Sequence, residues 1–301
     1  MNLLEKEFFS FIYQRQLIYH KRFVQKLPPP WTSDPVLQKF KIINMYRELD
    51  ACTLYLMQKL KDIDNRKTLL LNIAFFRFFN QRNLYEDLEI EPFDDMSEDI
   101  KQQLIITFER RKREGKNIFN DAYLISSGEA GKKKHESVLN ALHNTDFTEI
   151  ILKIDCSKMP RESLEVLENI PMVGPFLACE IWTDLSYLKF FKQEWTDNDF
   201  VNIGPGAKWG LEILADKKLT LQEQEDFLHN LHKLQESVLP EIHLSLNESL
   251  SWQEIAYKEA SSNIPFLSLT NIEGALCEFR KYNRLSQGLG KRRYFHPQDK
   301  I

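Results

Sequence analysis

The stretch NIPMVGPFLACEIW, residues 169–182, places a tight turn between two segments with helical patterns. Before it, PRESLEVLENI (160–170) predicts a short helix from the spacing of its apolar residues. After it, Pro175 falls where a helix tolerates proline, because the N–H groups of a first turn have no intrahelical acceptor. The stretch therefore predicts two helices joined by a hairpin at residues 171–174.

A helix-hairpin-helix of this kind can bind DNA through its backbone. It points free N–H groups and the positive end of a helix dipole toward a phosphate, which fixes register without reading bases. On this interpretation Pro171, Val173 and Gly174 contact phosphate, with a monovalent cation at the hairpin as a compatible addition. The alternative is an ordinary αα-hairpin that binds nothing, and Met172 stands where the usual PGVG form has its first glycine.

A second turn follows about 25 residues later, a spacing similar to that of helix-hairpin-helix DNA glycosylases. There Asp197 and Asp199 precede a Gly204-Pro205-Gly206 helix start. A carboxylate at such a place can stabilise the positive charge that develops when an N-glycosidic bond breaks. Asp199 is the predicted catalytic residue and Asp197 its substitute, although a direct alignment would put Gly204 at the catalytic position.

The same turn offers further phosphate contacts. Gly204 and Gly206 at the helix start, with Lys208 beside them, are predicted to bind DNA phosphate. The alternative for Asp197 and Asp199 is that both are turn and capping residues.

The bulk composition is that of an ordinary globular protein. Of 301 residues, 43% are hydrophobic and 28% charged, and no apolar run approaches the roughly 20 residues that span a bilayer. The four cysteines show no CxxC spacing, which argues against a zinc site, a redox pair or a disulfide framework. We expect a cytoplasmic protein with no membrane association.

The net charge of -4 conceals a separation of charge along the chain. Acids crowd into residues 86–99, whereas bases crowd into residues 110–116, 132–135 and 291–293, the last preceded by Arg280, Lys281 and Arg284. Each run alone is typical of a solvated helix face. Several basic runs offset by one acidic block favour a bipolar surface that suits a nucleic acid.

Helical periodicity dominates, and sustained alternation of apolar and polar residues is hard to find. The predicted fold class is all-α, a helix-hairpin-helix DNA glycosylase-like unit over residues 1–301. We expect two helical lobes, approximately 1–150 and 151–301, with a cleft between them and a C-terminal helix that can return to the first lobe.

Several quoted stretches resemble, in order, the α-glutamyl/putrescinyl-thymine pyrophosphorylase family, which is related to the helical domain of 5-hydroxymethyluracil DNA kinases. These stretches are FFSFIYQRQLIYHKRF (8–23), PPPWTSDPVLQKFKIINMYRELD (28–50), NIAFFRFFN (72–80), AYLISSG (122–128), the hairpin, FVNIGPGAKWG (200–210) and IEGALCEFRKY (272–282). The resemblance implies a glycosylase-like helical fold that acts on hypermodified pyrimidines in DNA.

Residue types in the N-terminal half fit a base pocket. Lys41, Asn44 and Arg47 recur at i, i+3 and i+6, so on a helix they would share one polar face that could reach DNA or a base. Trp31 could stack on a flipped base, which an enzyme acting on duplex bases must first extrude. The alternatives are a surface salt-bridge pattern for the cations and a core position for Trp31.

Arg77 and Asn80 stand in the otherwise apolar stretch FFRFFN (75–80). If they are buried they must be paired, because an unpaired buried charge is strongly destabilising. We predict a buried network near the pocket.

Other chemistries lack their motifs. The stretch GEAGKKKHES (128–137) does not have the GxxxxGK[ST] spacing, so ATP chemistry is not expected. Phe176 stands where bifunctional glycosylases carry a lysine, so Schiff-base strand cleavage is not expected either. The histidines show no metal-ligand pattern, and neither a metal nor another cofactor is predicted.

The sequence thus favours a monofunctional DNA glycosylase that flips a hypermodified pyrimidine out of double-stranded phage DNA and leaves an abasic site, as an antiviral defence enzyme. Two alternatives stay open. One is a transferase that replaces pyrophosphate on a 5-pyrophosphomethyl pyrimidine with an amine or amino acid, and the other is a DNA-binding adaptor without chemistry. No obligate protein partner is inferred.

Overall fold

The structure, a computed structural model, describes residues 2–88, 92–120, 128, 131–291 and 293–296. The AYLISSG stretch lies outside the described residues except for Gly128. Within the described ranges there is no strand beyond an isolated antiparallel bridge between Phe40 and Tyr294, so the predicted all-α class is confirmed. The likeness to helix-hairpin-helix glycosylases stays a prediction.

The helices follow one another along the whole chain. In order they are α1 (Leu3–Tyr19), α2 (Pro35–Lys39), α3 (Ala51–Leu60), α4 (Arg66–Phe79), α5 (Arg82–Leu88), α6 (Glu98–Arg113), α7 (Lys134–His143), α8 (Phe147–Cys156), α9 (Pro160–Leu167), α10 (Pro175–Tyr187), α11 (Pro205–Ala215), α12 (Leu221–Ser245), α13 (Trp252–Ile255) and α14 (Leu269–Ser286). A π-helical turn, His20–Val24, and a 3₁₀ turn, Arg47–Leu49, lie between them.

Side-chain caps explain where many helices begin. Asn2 and Thr220 each form a capping box with a glutamate three residues later, which satisfies backbone N–H groups that the first turn leaves without acceptors. Asp34, Asp146 and Ser268 cap α2, α8 and α14 in the same way. No helix among the described residues combines the length and the apolar character needed to cross a membrane.

The chain divides into two compact units. Unit 1 consists of residues 1–50 and 200–301, and unit 2 of residues 51–199. The sequence predicted a boundary near residue 150 instead. The difference arises because the helices that follow residue 200 pack against α1 and α2 of the N-terminal segment rather than starting a separate lobe.

Unit 1 has an aromatic core built around α1 and α14. Phe8 and Phe11 of α1 contact the ring of Phe279 on α14, with centroid distances of 5.4 and 5.7 Å. Tyr46 stacks on Trp252 at 6.4 Å, and all five rings are buried. This core fixes the segment before residue 50 against the C-terminal helix.

The closest helix pair of unit 1 is α11 and α14. A Cβ atom added at Gly210 would lie 2.4 Å from the carbonyl oxygen of Leu276, and one at Gly206 would lie 2.2 Å from Sγ of Cys277. Real Cβ atoms do not approach other atoms so closely. Glycine is therefore required at both positions for the two backbones to pack.

Unit 2 is organised around α4, whose side chains from Thr68 to Phe79 are all buried. It packs against α7, α8 and α10. The indole of Trp182 on α10 is buried, stacks on Phe191 at 5.0 Å and donates to Oγ of Ser163 on α9 at 2.8 Å. This hydrogen bond holds α9 and α10 together.

Arg77 carries a positive charge into this unit, with only 2% of its side chain exposed. Its guanidinium forms a two-point ion pair with Asp184, the Nη2–Oδ1 distance being 2.8 Å. It also donates to Oδ1 of Asn80 and Oγ1 of Thr53, both at 3.0 Å. The prediction that Arg77 and Asn80 belong to a buried paired network is confirmed.

We expect Gly210→Ala to lower the free energy of unfolding by about 1–3 kcal/mol, because the new methyl group must push α11 from α14. Gly274→Ala is the matched control: Gly274 lies on α14 with nothing within 4 Å of its added Cβ. That substitution should stabilise by about 0.5–1 kcal/mol. Urea denaturation measures both, and equal midpoints for the two variants would contradict the packing argument.

Arg77→Met should destabilise unit 2 by about 3–5 kcal/mol, because it leaves the carboxylate of Asp184 buried without its cation. Arg82→Met is the control, since Arg82 pairs with Glu86 at the surface, where side chains are 40% and 42% exposed. An exposed pair contributes about 0–1 kcal/mol. A similar shift of the denaturation midpoint in both variants would show that the buried pair is not special.

Candidate nucleic-acid interface

The hairpin after α9 has an exposed helix start. Met172 has a φ of 68°, in the left-handed region that the PGVG form gives to glycine, and the N–H of Val173 donates to the carbonyl of Ile170 at 3.0 Å. Pro171 and Gly174 are exposed whereas Val173 is buried. Gly174 is the N-cap residue of α10, and no side chain among the described residues caps this helix. Its first N–H groups suit a phosphate, and the predicted contact and cation stay predictions.

Asp199 forms a turn with its own neighbours. Its Oδ2 accepts hydrogen bonds from the N–H and the Oγ1 of Thr196, at 2.7 and 2.8 Å, and its side chain is exposed. Asp197, two residues earlier, is fully buried. The geometry of Asp199 is that of the capping residue which the sequence left open as the alternative.

The N-terminus of α11 already holds an anion from the chain itself. The N–H of Gly204 donates to Oε1 of Glu273 on α14, at 3.0 Å. Gly206 faces Cys277, so its lack of a side chain serves helix packing. The predicted phosphate contacts of Gly204 and Gly206 would therefore require displacement of a carboxylate. Lys208, in the first turn, is half-exposed.

The helix predicted to carry Lys41, Asn44 and Arg47 does not form. α2 ends at Lys39, residues 41–46 are not helical and residues 47–49 make a single 3₁₀ turn. The prediction that these three residues share one polar helix face is therefore wrong. Lys41 is exposed, Asn44 is buried and Arg47 is half-exposed.

Hydrogen bonds from other elements explain why this segment is extended. The buried guanidinium of Arg15 on α1 donates to the carbonyl of Ile42 at 3.1 Å and to Oδ1 of Asn44 at 2.7 Å. The amide of Asn44 donates to the carbonyl of Leu49 at 2.9 Å, and the N–H of Arg47 to Asn271 of α14 at 2.8 Å. These bonds replace those of a helix.

Burial leaves Arg15 in an unusual state. It lowers the pKa of the guanidinium to about 10, although the nearby carboxylates of Asp50 and Glu278 favour the charged form. Nη1 of Arg15 is buried and has no hydrogen-bond partner in the part of the chain that the structure describes. Nothing in the sequence singles out this residue, since a lone arginine in an amphipathic helix usually faces solvent.

The other predicted pocket residues belong to different units. Trp31 lies in the core of unit 1, where its Nε1 donates to the carbonyl of Leu27 at 2.8 Å and its ring contacts Phe295 edge-on at 6.1 Å. Only 8% of Trp31 is exposed, so its ring has no open face on which a base could stack. Arg77 and Asn80 are internal to unit 2.

The basic runs at 110–116 and 132–135 meet in unit 2, where several of their cations are neutralised. Nζ of Lys133 lies 2.8 Å from Oε2 of Glu109, and Lys116 pairs with Glu114 at 3.0 Å. Arg111 is buried. These runs supply less free positive charge than the sequence indicated.

One arrangement in this region could geometrically hold a metal ion. Ligand atoms of Glu109, His135 and Glu136 lie within 4.8 Å of one another. Lys133 forms an ion pair with the carboxylate of Glu109, and Nζ of Lys112 lies 3.3 Å from Nδ1 of His135. Burial first and then the charge of Lys112 lower the pKa of His135. The ammonium of Lys133 pairs with both Glu109 and Glu136, and that of Lys112 lies against the imidazole, so the donor set does not favour a divalent cation.

The third basic run lies on unit 1, on a surface that we call the α14–tail face. Its cations are Lys39, Lys41, Lys208, Arg280, Lys281, Arg284, Lys291 and Arg293. Lys281 donates to the carbonyl of Lys41, whose own N–H donates to the carbonyl of Arg293 at 2.9 Å, so three sequence-distant segments meet here.

Exposed aromatic rings lie among these cations. Trp209 is 43% exposed, and the guanidinium of Arg280 sits 3.9 Å from its ring centroid. Tyr294 is 49% exposed and contacts Phe40 at 5.6 Å. Cations interleaved with open aromatic faces are typical of nucleic-acid-binding surfaces. The sequence identified the run on α14 and the tail but not Trp209 or Lys39.

Comparison with known proteins places these features in a family. The family model described as "5-hmdU DNA kinase, helical domain" matches residues 3–291. A protein of Bacillus phage SP10 named "5-hmdU DNA kinase" is 28% identical over 299 residues, which cover 91% of this chain and 44% of that protein. The chain thus spans less than half the length of this curated relative. No solved structure matches it.

These findings correct the predicted reaction. Both the family description and the relative's name specify a kinase, a phosphoryl transferase, so the prediction of a DNA glycosylase that hydrolyses an N-glycosidic bond is wrong. The predicted hydrolysis, base excision and abasic-site product are wrong for the same reason. The catalytic roles given to Asp199 and Asp197 served that reaction and lose their basis.

The predicted family relationship is confirmed in its kinase part. The resemblance noted along the sequence included the helical domain of 5-hydroxymethyluracil DNA kinases, and the model match extends over nearly all of the chain. The glycosylase-like part is not shown by these comparisons. This chain belongs to the family of 5-hmdU DNA kinase helical domains.

Proposed function

We propose that this chain is the DNA-recognition part of a 5-hydroxymethyluracil DNA kinase activity. It binds DNA that contains 5-hydroxymethyluracil and presents the 5-hydroxymethyl group for phosphorylation. The observation that carries the proposal is the match of residues 3–291 to the helical domain of that kinase family. The α14–tail face, where cations alternate with exposed rings, supports a nucleic-acid ligand.

The phosphoryl donor has no recognisable site in this sequence. Phosphorylation requires the 5-hydroxymethyl oxygen to attack the γ-phosphorus of a nucleoside triphosphate, while the bond to the diphosphate breaks and the hydroxyl proton is released. A site for that donor usually needs a glycine-rich phosphate loop with a lysine and a magnesium ligand. The sequence has no GxxxxGK[ST] stretch, and the SP10 relative is more than twice as long as the matched region. We assign the donor site to protein outside this chain.

The hairpin of unit 2 fits the same function. The start of α10 is exposed and lacks a side-chain cap among the described residues, so its N–H groups can donate to a phosphate. We propose this turn as a helix-hairpin-helix contact to the DNA backbone through Gly174 and its neighbours. Such a contact fixes register and adds no preference for the modified base.

Binding should prefer the modified base. We expect the purified chain to bind a duplex with one central 5-hydroxymethyluracil about 2–10-fold more tightly than the same duplex with thymine, the gain of roughly one net hydrogen bond to the added hydroxyl. Fluorescence anisotropy at 100–150 mM salt, with a thymine duplex as the matched control, measures the ratio. Equal affinity for both duplexes would refute recognition of the base.

Phosphoryl transfer should not occur with this chain alone. Incubation with γ-labelled ATP, magnesium and 5-hydroxymethyluracil DNA whose ends are already phosphorylated should leave the DNA unlabelled, because no donor site is assigned to the chain. A polynucleotide kinase acting on the dephosphorylated duplex is the positive control. Labelled nucleotide at the modified base would place the donor site within this sequence and contradict the division of roles.

A further inference from the structure

We propose that the α14–tail face of unit 1 is the principal binding surface for the DNA phosphate backbone. The inference rests on the proposed function and names its main contact surface, which is distinct from the hairpin. Four observations carry it: cations of which most form no ion pair among the described residues, two neighbouring arginines on α14, anchoring of the tail, and exposed aromatic rings at the same place.

Most cations of this face form no ion pair among the described residues. Elsewhere, Lys133, Lys153 and Lys217 each pair with a glutamate at 2.7–2.8 Å. On the α14–tail face only Lys281 has such a partner among the described residues, Glu278 at 3.2 Å. Solvent-exposed cations without counter-charges hold mobile counterions, whose release favours binding of a polyanion.

Like charges are placed side by side on α14. Arg280 and Arg284 are four residues apart, so they are neighbours on one helix face and repel each other. Burial first and then the charge of Arg284 lower the pKa of Arg280, and the nearby thiol of Cys277 opposes this shift. The two guanidinium groups therefore concentrate positive charge at one place on the surface, where a phosphate anion can neutralise it.

The acidic groups near this face are already engaged. Glu273 accepts from the N–H of Gly204 at 3.0 Å, and Glu278 accepts from the N–H of Ile43 at 3.1 Å and from Lys281. Asp34 caps α2 and accepts from the hydroxyl of Tyr282 at 2.7 Å. Glu278 therefore neutralises Lys281, whereas the hydrogen bonds to Glu273 and Asp34 come from uncharged groups of the protein.

The tail is fixed to this face by backbone pairing. The N–H of Lys41 donates to the carbonyl of Arg293, and the N–H of Phe295 donates to the carbonyl of Lys39, each at 2.9 Å. The ring of Phe295 packs edge-on against Trp31. The backbone of Arg293 is therefore held in place, which reduces the entropy lost when this residue binds phosphate.

Aromatic rings complete the surface. Trp209 presents an exposed ring that Arg280 holds from one side, and Tyr294 lies beside Lys39, whose Nζ is 6.0 Å from its ring centroid. Both rings can pack against sugars or an unstacked base next to the bound phosphates. This combination of cations and exposed rings favours DNA over a protein partner.

The test compares two triple variants with equal charge change. The face variant is Lys41→Gln, Arg284→Gln and Arg293→Gln, and the control is Lys6→Gln, Lys233→Gln and Lys258→Gln, all six side chains being exposed and in unit 1. Dissociation constants for the 5-hydroxymethyluracil duplex are measured by anisotropy from 50 to 300 mM KCl. Thermal melting shows that both variants remain folded.

We expect the slope of log K against log salt to become shallower by about 2–3 in the face variant, close to 0.9 per lost phosphate contact. Affinity at 100 mM KCl should fall on the order of 10–100-fold, while the control stays within about 3-fold of the wild type. If the wild type binds but the two variants behave alike, the surface assignment is wrong and the proposed function stands. If the wild type binds no DNA, the proposed function itself fails.

A second readout does not depend on charge removal. Trp209 is exposed, whereas Trp31, Trp182 and Trp252 are buried and the half-buried Trp195 belongs to unit 2, so DNA on this face should change mainly the emission of Trp209. Binding should shift or quench tryptophan fluorescence in the wild type, and Trp209→Phe should remove most of that change. A change of undiminished size in Trp209→Phe would place the DNA elsewhere.

Discussion

The close approach of α11 and α14 is the constraint on which most of unit 1 depends. Without a Cβ atom at Gly206 and Gly210, the backbone of α11 lies against Cys277 and Leu276 of α14. At this separation Glu273 reaches the first N–H of α11, and Arg280 reaches the ring of Trp209. One steric condition thus determines both what occupies the helix terminus and which side chains form the outer surface.

The helical content was predictable from sequence because local signals and tertiary packing agree. Proline at the first position of α9 and α10, the capping box at Thr220 and the apolar periodicity of α4 each act within a few residues. Burial of Arg77 beside Asn80 was predictable too, since a charge in so apolar a helix must be paired. The partner Asp184, more than a hundred positions away, was not identifiable from one sequence.

The segment after α2 shows where such reasoning fails. Its spacing of polar residues suits a helix, but Arg15 and Asn271 satisfy its backbone from outside, and Asn44 closes a bond to Leu49. Side-chain hydrogen bonds that compete with helix formation depend on the three-dimensional arrangement of other elements. The glycines at the start of α11 are ambiguous in sequence for a related reason, because close helix packing and phosphate binding both favour glycine.

The reaction was the least predictable property, since a fold does not specify chemistry. A turn that offers backbone N–H groups to phosphate serves any protein that must hold DNA, whatever is done to the bases. Two kinds of phosphate contact are proposed for this chain, and they differ physically. The start of α10 offers oriented dipoles without net charge, so it fixes position but releases few counterions. The cations around α14 carry net charge, which supplies affinity and salt dependence.

A protein with a net charge of -4 can still bind DNA if its free cations lie on one surface while its carboxylates there are engaged internally, as those of Glu273 and Glu278 are. The distribution of neutralised and free charge, rather than the total, therefore determines whether the domain attracts a polyanion.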